Sequence, residues 1–238
     1  MDPQLKPLFE AATRPYIGAG HYAWRFARGK LRHGLLPDRE SLLDLGCGQG
    51  ILLSLLKAAK EQYQAGLWPR DWPAPPLNLG LRGIELSEYR VQRARRALGG
   101  SVRVDRGDLR ALDLQPCSVI VMLDVLFYLE KEEQGRLIEK AAGALAPGGL
   151  LLMRETDAGA GFAFQVTKWA ERLAGALRGE FMQRLHYRDA AQWTAELEGR
   201  GFSVRAQPMS EGTPFANVLF VARKGVSRRR VVRRAEPG

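Results

Sequence analysis

The stretch Leu42-Leu43-Asp44-Leu45-Gly46-Cys47-Gly48-Gln49-Gly50 decides the fold. Leucines around a single aspartate read as a short buried strand. Three glycines at alternate positions then turn the chain into an amphipathic run from Ile51 to Lys60. The result is a strand, a bare loop and a helix in succession. Gly46 and Gly48 carry no Cβ and can take positive φ, so a ligand can lie directly against the main chain at the N-terminus of the helix. Such a loop suits a nucleotide-like ligand.

The spacing of the glycines narrows the choice. A dinucleotide fingerprint requires G-x-G-x-x-G, whereas the pattern here is D-x-G-x-G-x-G with no glycine three residues after Gly48. That spacing argues against NAD. The nonapeptide resembles the first motif of class I S-adenosylmethionine-dependent methyltransferases. The resemblance implies that the glycines face the methionine part of the cofactor and that the strand-end acid organises the loop near its amino group. It makes Asp44, Gly46, Cys47, Gly48 and Gly50 cofactor-binding candidates.

The 238 residues, 45% of them hydrophobic, suit one α/β domain with an ordinary core. No apolar run approaches the length of a membrane span, and Met1 to Glu10 carries Asp2, Lys6 and two prolines, so the expectation is a cytoplasmic protein without a signal peptide. Two cysteines, Cys47 and Cys117, fit neither a disulfide framework nor a zinc site, and no metal is expected. The net charge of +10 is unevenly spread: from Lys224 to Gly238 there are six basic residues and one acid. That segment reads as a disordered basic tail beyond a single domain of residues 1–223, either solvated without a specific partner or touching nucleic acid, anionic lipid or an acidic protein.

Outward from the glycine loop, residues 3–33 read as an amphipathic helix broken near Gly18 and Gly20, part of an N-terminal helical extension over residues 1–40. In many small-molecule methyltransferases such a segment closes over cofactor and substrate. The resemblance would put Tyr16, His21 or Tyr22 near the site, although the same aromatics could simply staple the helix to the sheet. Residues 66–80, with four prolines and two tryptophans, read as a long loop.

A second strand ends at Glu85, with Leu86 after it, and leads into an arginine-rich helix reaching Leu98. A carboxylate at that strand end can accept both hydroxyls of a ribose. A third strand, Val102–Val104, leads to Asp108 and Leu109. In the methyltransferase family an acid here accepts from the adenine amine with a backbone N–H beside it; an Asx turn is the alternative. The nearly continuous apolar run Ser118–Asp124 is a parallel strand covered on both faces. Leu123 and Asp124 at its C-terminal edge, with Phe127 and Tyr128 after it, stand where ligands of open α/β sheets bind. The helix from Glu130 is stopped at Ala146-Pro147-Gly148-Gly149, before a fifth strand ending in Arg154-Glu155. This L-x-P-G-G-x-L pattern is a second likeness to the same family. Residues 159–193 read as a substrate-specific insertion, Asp189 as a helix cap, and residues 201–204 and 216–222 as the last two strands.

The expected fold is therefore a Rossmann-like, seven-stranded, mostly parallel sheet with helices on both faces. Methyl transfer from a sulfonium is an in-line displacement that needs alignment and, for a protic acceptor, a base. His186, among Arg184, Tyr187 and Arg188, Glu155 and Asp124 are the base candidates. Tyr16, Tyr22, Phe127, Tyr128, Trp169, Arg184 and Tyr187 are the substrate-binding candidates. Cys117 precedes its strand and so lies at the wrong sheet edge for a nucleophile.

Three outlying stretches, Tyr22–Leu31, Phe164–Leu173 and Gln183–Arg188, are similar to methyltransferases of bacterial aryl polyene and xanthomonadin-like pigment pathways. That resemblance implies a small aromatic or polyketide-type acceptor, free or carrier-bound, such as an aryl head group. Two other readings stay open: an RNA or DNA methyltransferase guided by the tail, and a non-catalytic S-adenosylmethionine-binding module.

Overall fold

The computed structural model describes residues 36–38, 40–177, 184–209 and 214–225. Tyr16, His21 and Tyr22, and nearly all of the basic tail, lie outside the described residues. The strands are β1 (Ser41–Leu45), β2 (Gly80–Glu85), β3 (Arg103–Arg106), β4 (Cys117–Leu123), β5 (Leu145–Thr156), β6 (Phe202–Pro208) and β7 (Asn217–Lys224). The helices are α1 (Ile51–Gln64), α2 (Glu88–Leu98), α3 (Lys131–Ala144), α4 (Phe162–Leu177) and α5 (Ala190–Glu198). All seven strands form one sheet in the order β3-β2-β1-β4-β5-β7-β6. The first five run parallel, and β7 is antiparallel to both β5 and β6. This is the predicted fold class.

The alternation of the central strands divides the core. Leu42, Val119, Val121, Leu150 and Leu152 point to one face, where α1 and α2 bury Leu53, Leu56, Val91 and Leu98. Leu43, Ile120, Met122, Leu151 and Met153 point to the other, beneath Leu137 and Ile138 of α3 and Trp193 and Leu197 of α5. A strand buried on both faces has no polar side to show, which is why β4 reads as an unbroken apolar run. Trp72 belongs to the first of these cores, with Trp68 edge-on at 5.7 Å, so the Pro/Trp loop is packed against the domain.

One boundary differs from expectation. The Pro-Gly-Gly segment is not a loop between helix and strand: β5 begins at Leu145, directly after α3, and pairs Leu145 with Cys117 across a register irregularity. Gly148 absorbs the bend at φ +78°. Within the segment read as an insertion, residues 162–177 form a regular helix. Asp189 caps α5 as expected, accepting from the Gln192 N–H at 2.7 Å.

Candidate active site

The carboxyl ends of β1, β2, β4 and β5 converge on two adjoining cavities of about 600 and 470 Å3. Gly46, Gly48, Arg90, Asp124 and Tyr128 line both. The smaller one is completed by Glu85, Leu86, Ser87, Asp108, Leu109 and Val125. The larger one runs past the glycine loop to Arg154, Thr167, Glu171, Phe215 and Asn217.

Local chain geometry makes the opening. Gly46, Gly48 and Gly50 have φ of +73°, +56° and +77°, a region that costs an L side chain dearly. A Cβ on Gly46 would stand 2.5 Å from Val125 Cγ2, whereas one on Gly48 would meet nothing within 4 Å. The first glycine lets the loop close against the end of β4, and the second leaves bare backbone facing both cavities. Gly46 and Cys47 N–H groups both donate to the Ile84 carbonyl, tying the loop to β2. The Glu85 carboxylate reaches across to accept from Gly48 N–H at 3.0 Å and Ser87 N–H at 2.9 Å, with Arg90 3.8 Å away. Asp44 is buried under the loop, and desolvation, reinforced by the nearby Glu85 charge, pushes its carboxyl up to about 7. Burial first, then the charges of Asp44 and Glu85, raises the Cys47 thiol, so it remains an uncharged packing group. Burial likewise pushes the Cys117 thiol up to about 11 at the opposite edge of the sheet.

Asp108 lines the smaller cavity and accepts from the Arg110 backbone N–H at 2.9 Å, the Asx-turn geometry. Its hydrogen bonds from the Arg110 side chain hold its carboxyl below the usual range. The turn and a place on the cavity wall coexist at this residue.

At the end of β4, Asp124 has φ +55°, the one positive φ outside glycine among the described residues. Its N–H donates to the Arg154 carbonyl at 2.9 Å, and its carboxylate takes a two-point grip from the Arg154 guanidinium, Nε to Oδ1 at 2.8 Å and Nη2 to Oδ2. Arg154 is 4% exposed yet lines the larger cavity. The next residue on β5, Glu155, falls on the opposite pleat. It is 2% exposed, its carboxylate accepts from Leu126 N–H at 2.9 Å, and it does not line either cavity. Burial holds its carboxyl well above the usual range. Glu155 therefore shapes the turn carrying Phe127 and Tyr128 rather than facing a substrate, contrary to its candidacy as base.

The structure also moves other candidates away from the cavities. His186 joins the scaffold through its backbone: its N–H donates to the Phe127 carbonyl at 2.7 Å, and its carbonyl accepts from Gln134 Nε2 at 2.7 Å. Its ring lines neither cavity. Gln134, wholly buried on α3, also donates to the Leu126 and Leu129 carbonyls and accepts from Arg188, so it pins residues 186–188 beneath the site. Arg184 is exposed and lines neither cavity. Trp169 is 71% exposed, on the outer face of α4 with Phe162 and Leu173. Tyr187 stacks on Phe127, centroids 5.6 Å apart, and its hydroxyl donates to Glu171.

Sequence reasoning missed Arg90, Arg154, Thr167, Glu171, Phe215 and Asn217 as cavity residues. The spacing of Thr167 and Glu171, four apart on one helical face, was a readable signal. Among the described residues no group of three acidic, histidine or cysteine side chains is placed to hold a metal. No described helix is long and apolar enough to cross a membrane.

Residues 19–207 match the family of methyltransferase domains, and the chain belongs to that family. It is 33% identical over 132 residues to a carboxy-S-adenosyl-L-methionine synthase of Chromohalobacter salexigens, covering 51% of this chain and 44% of that protein. The chain thus spans about half the length of the curated relatives it matches. Among solved structures it resembles an S-adenosylmethionine-dependent methyltransferase of Methanosarcina mazei, with a TM-score of 0.60, 16% identity, and coverage of 82% of this chain and 96% of that one. Another, from Mesorhizobium loti, matches with a TM-score of 0.58, 19% identity, and coverage of 83% and 98%. These likenesses support the class I methyltransferase fold. The family and its relatives imply S-adenosylmethionine as the cofactor. The bare Gly48 backbone and the strand-end carboxylate of Glu85 on one cavity edge fit such a molecule.

Proposed function

We propose that this protein transfers a methyl group from S-adenosylmethionine to a small aromatic or polyketide-type acceptor. The observation that carries the acceptor reading is the aromatic wall of the larger cavity beyond the glycine loop. Phe127 and Tyr128 lie with centroids 4.5 Å apart, Tyr187 stacks behind Phe127, and Phe215 lines the same space. Flat rings favour a flat partner through offset or edge-on contact. In this reading Gly46 and Gly48 hold the methionine part of the cofactor, Cys47 and Leu123 flank it, Glu85 and Leu86 hold the ribose, and Asp108 and Leu109 hold the adenine. Gly50, expected beside them, instead turns its open side to Ala94 and Leu98 of α2 and shapes the loop. Bound there, the cofactor supplies an electrophilic methyl on a sulfonium. The chain's part is to align the acceptor, exclude water and take up a proton. The resemblance to pigment-pathway enzymes extends the reading to an aryl head group, free or carrier-bound.

Labelled S-adenosylmethionine offered with purified protein to hydroxyaryl acids, free and carrier-bound, to total RNA and to total protein tests the proposal. Label in the hydroxyaryl pool is the expected result. Label in RNA alone, lost on truncation at Lys224, would replace it with the nucleic-acid reading. Mass measurement of the recovered cofactor reads in the same experiment whether it has been carboxylated, the product that the relatives' name describes.

The cofactor half makes its own prediction. Asp44, at about 7 in the folded protein against about 4 in an unfolded chain, is protonated in neutral-to-acid buffer. An ammonium group beside it favours the ionised form. Affinity for S-adenosylmethionine is expected to fall about tenfold per pH unit below 7, with one proton released on binding. Asp44→Asn should weaken binding at pH 8 and flatten that dependence. Calorimetry across the pH range checks both, and a pH-independent wild-type affinity would remove the ion pair from the account. For folding alone the sign reverses. Between about pH 4 and 7 the unfolded chain ionises Asp44 first, so this group costs stability as the pH rises.

A further inference from the structure

Resting on the aryl-acceptor reading above, we propose that Glu171 is the general base that takes the acceptor's hydroxyl proton, oriented by Tyr187 and Thr156. Among the described residues three carboxylates line the larger cavity: Asp44, Asp124 and Glu171. Asp44 sits under the glycine loop, at the cofactor end. Asp124 is engaged by the two-point contact with Arg154 and is shared with the smaller cavity. Glu171 belongs only to the larger cavity, on the α4 wall with Thr167 and Ala170, beside the aromatic rings.

The carboxylate of Glu171 is set for this task. Oε2 accepts from the Tyr187 hydroxyl and Oε1 from Thr156 Oγ1 at 3.0 Å. Each oxygen keeps a further acceptor site for a substrate hydroxyl. Tyr187 is itself fixed, stacked on Phe127 and edge-on to Phe164 at 5.1 Å, so the ring wall and the base move as one unit. The charged and titratable groups around Glu171 are Tyr187, Asp124, Arg154 and, behind them, Glu155. Burial raises its carboxyl above the usual range, and the two hydroxyl donors moderate that rise. A carboxylate whose proton affinity is raised is a better base toward a phenol than an ordinary exposed one. In the step, the acceptor O–H proton passes to a Glu171 oxygen while the acceptor oxygen forms its bond to the methyl carbon. The carbon–sulfur bond breaks with its electron pair going to sulfur, which becomes a neutral thioether, and the proton on Glu171 leaves to water after product release.

The test uses 4-nitrophenol, at a pH where the free phenol is ionised, and calorimetry in two buffers of different ionisation heat. Wild type is expected to take up about one proton per phenolate bound, because Glu171 must share one with it, and Glu171→Gln about none. In turnover, Glu171→Gln should lose about 100- to 1,000-fold in kcat/KM on hydroxyaryl acceptors, with partial recovery in Glu171→Asp. Tyr187→Phe removes one donor and should move the midpoint of proton uptake to higher pH, which keeps the question open to measurement should Glu171→Gln fold poorly. Undiminished proton uptake in Glu171→Gln, or turnover within about threefold of wild type, removes Glu171 as base and leaves the aryl reading standing. Failure of wild type both to bind nitrophenol and to methylate any hydroxyaryl compound overturns the aryl reading, and this inference with it.

Discussion

Replacing Gly46 by alanine is expected to weaken S-adenosylmethionine binding by at least about 100-fold and to cost about 3 kcal/mol of stability. Two effects add. At φ +73° an alanine gives up about 1–2 kcal/mol against the right-handed regions. Its Cβ would also stand 2.5 Å from Val125 Cγ2. Val125 is β-branched and stiff at χ1, so although it is only half-buried beside the smaller cavity, relieving the clash forces it toward a less favoured rotamer. The loop resists the rest of the shift, because its Gly46 and Cys47 N–H groups hold the Ile84 carbonyl. Gly48→Ala is the informative partner. Its φ is +56° and its Cβ meets no protein atom within 4 Å, so stability should fall by only about 1 kcal/mol while cofactor affinity falls steeply. Thermal melts paired with calorimetric titration separate the two variants. An affinity for Gly48→Ala within about twofold of wild type, a difference of about 0.4 kcal/mol, would show that the open side of that glycine is not where the cofactor lies.

Asp124→Ala should be comparably severe, at about 4 kcal/mol, for a different reason. It withdraws a bidentate carboxylate from a guanidinium that is only 4% exposed, and it places alanine where φ is +55°. Aspartate tolerates the left-handed region better than most residues, so the same side chain answers both the backbone and the buried charge. Asp124→Asn keeps the backbone preference and one acceptor and should lose less. Arg154→Met combined with Asp124→Asn should be milder than the sum of the single changes. A coupling energy of at least about 2 kcal/mol in a double-mutant cycle is expected. Additivity within about 0.5 kcal/mol would mean that the pair contributes nothing as a pair.

Much of the fold was legible along the chain because its signals are local. The step from Leu45 to the three glycines, the two-sided apolar run of β4 and the cap at Asp189 each depend on neighbours a few residues away. The glycine-loop end of the cavities was equally legible. Glycine spacing and strand-end acids are read in sequence order, and Asp44, Gly46, Gly48, Glu85, Asp108 and Asp124 all line the two cavities. The far end of the larger cavity was not. Arg154 and Glu155 are adjacent charges at a strand end. Alternation sends them to opposite pleats, and nothing in the pair says which pleat faces the cavity. Glu155 is one of three base candidates in the sequence, yet Arg154 is the one of the pair that lines the cavity. On α4, Trp169 and Glu171 lie on opposed faces, and the tryptophan drew the substrate assignment although it points outward. His186 stood out by residue type, yet its backbone fastens the chain to Phe127 and Gln134.

By itself, then, the sequence determined the strand-loop-helix, the sheet class and the glycine-loop end of the cavities, where the lining comes from backbone geometry and from acids placed by strand register. Tertiary structure alone decided the far wall of the larger cavity. Arg154, Thr167, Glu171, Phe215 and Asn217 come from separate places along the chain. Which of them meet depends on how β5, α4 and β7 pack, through contacts between residues distant in sequence that leave no periodic trace in it.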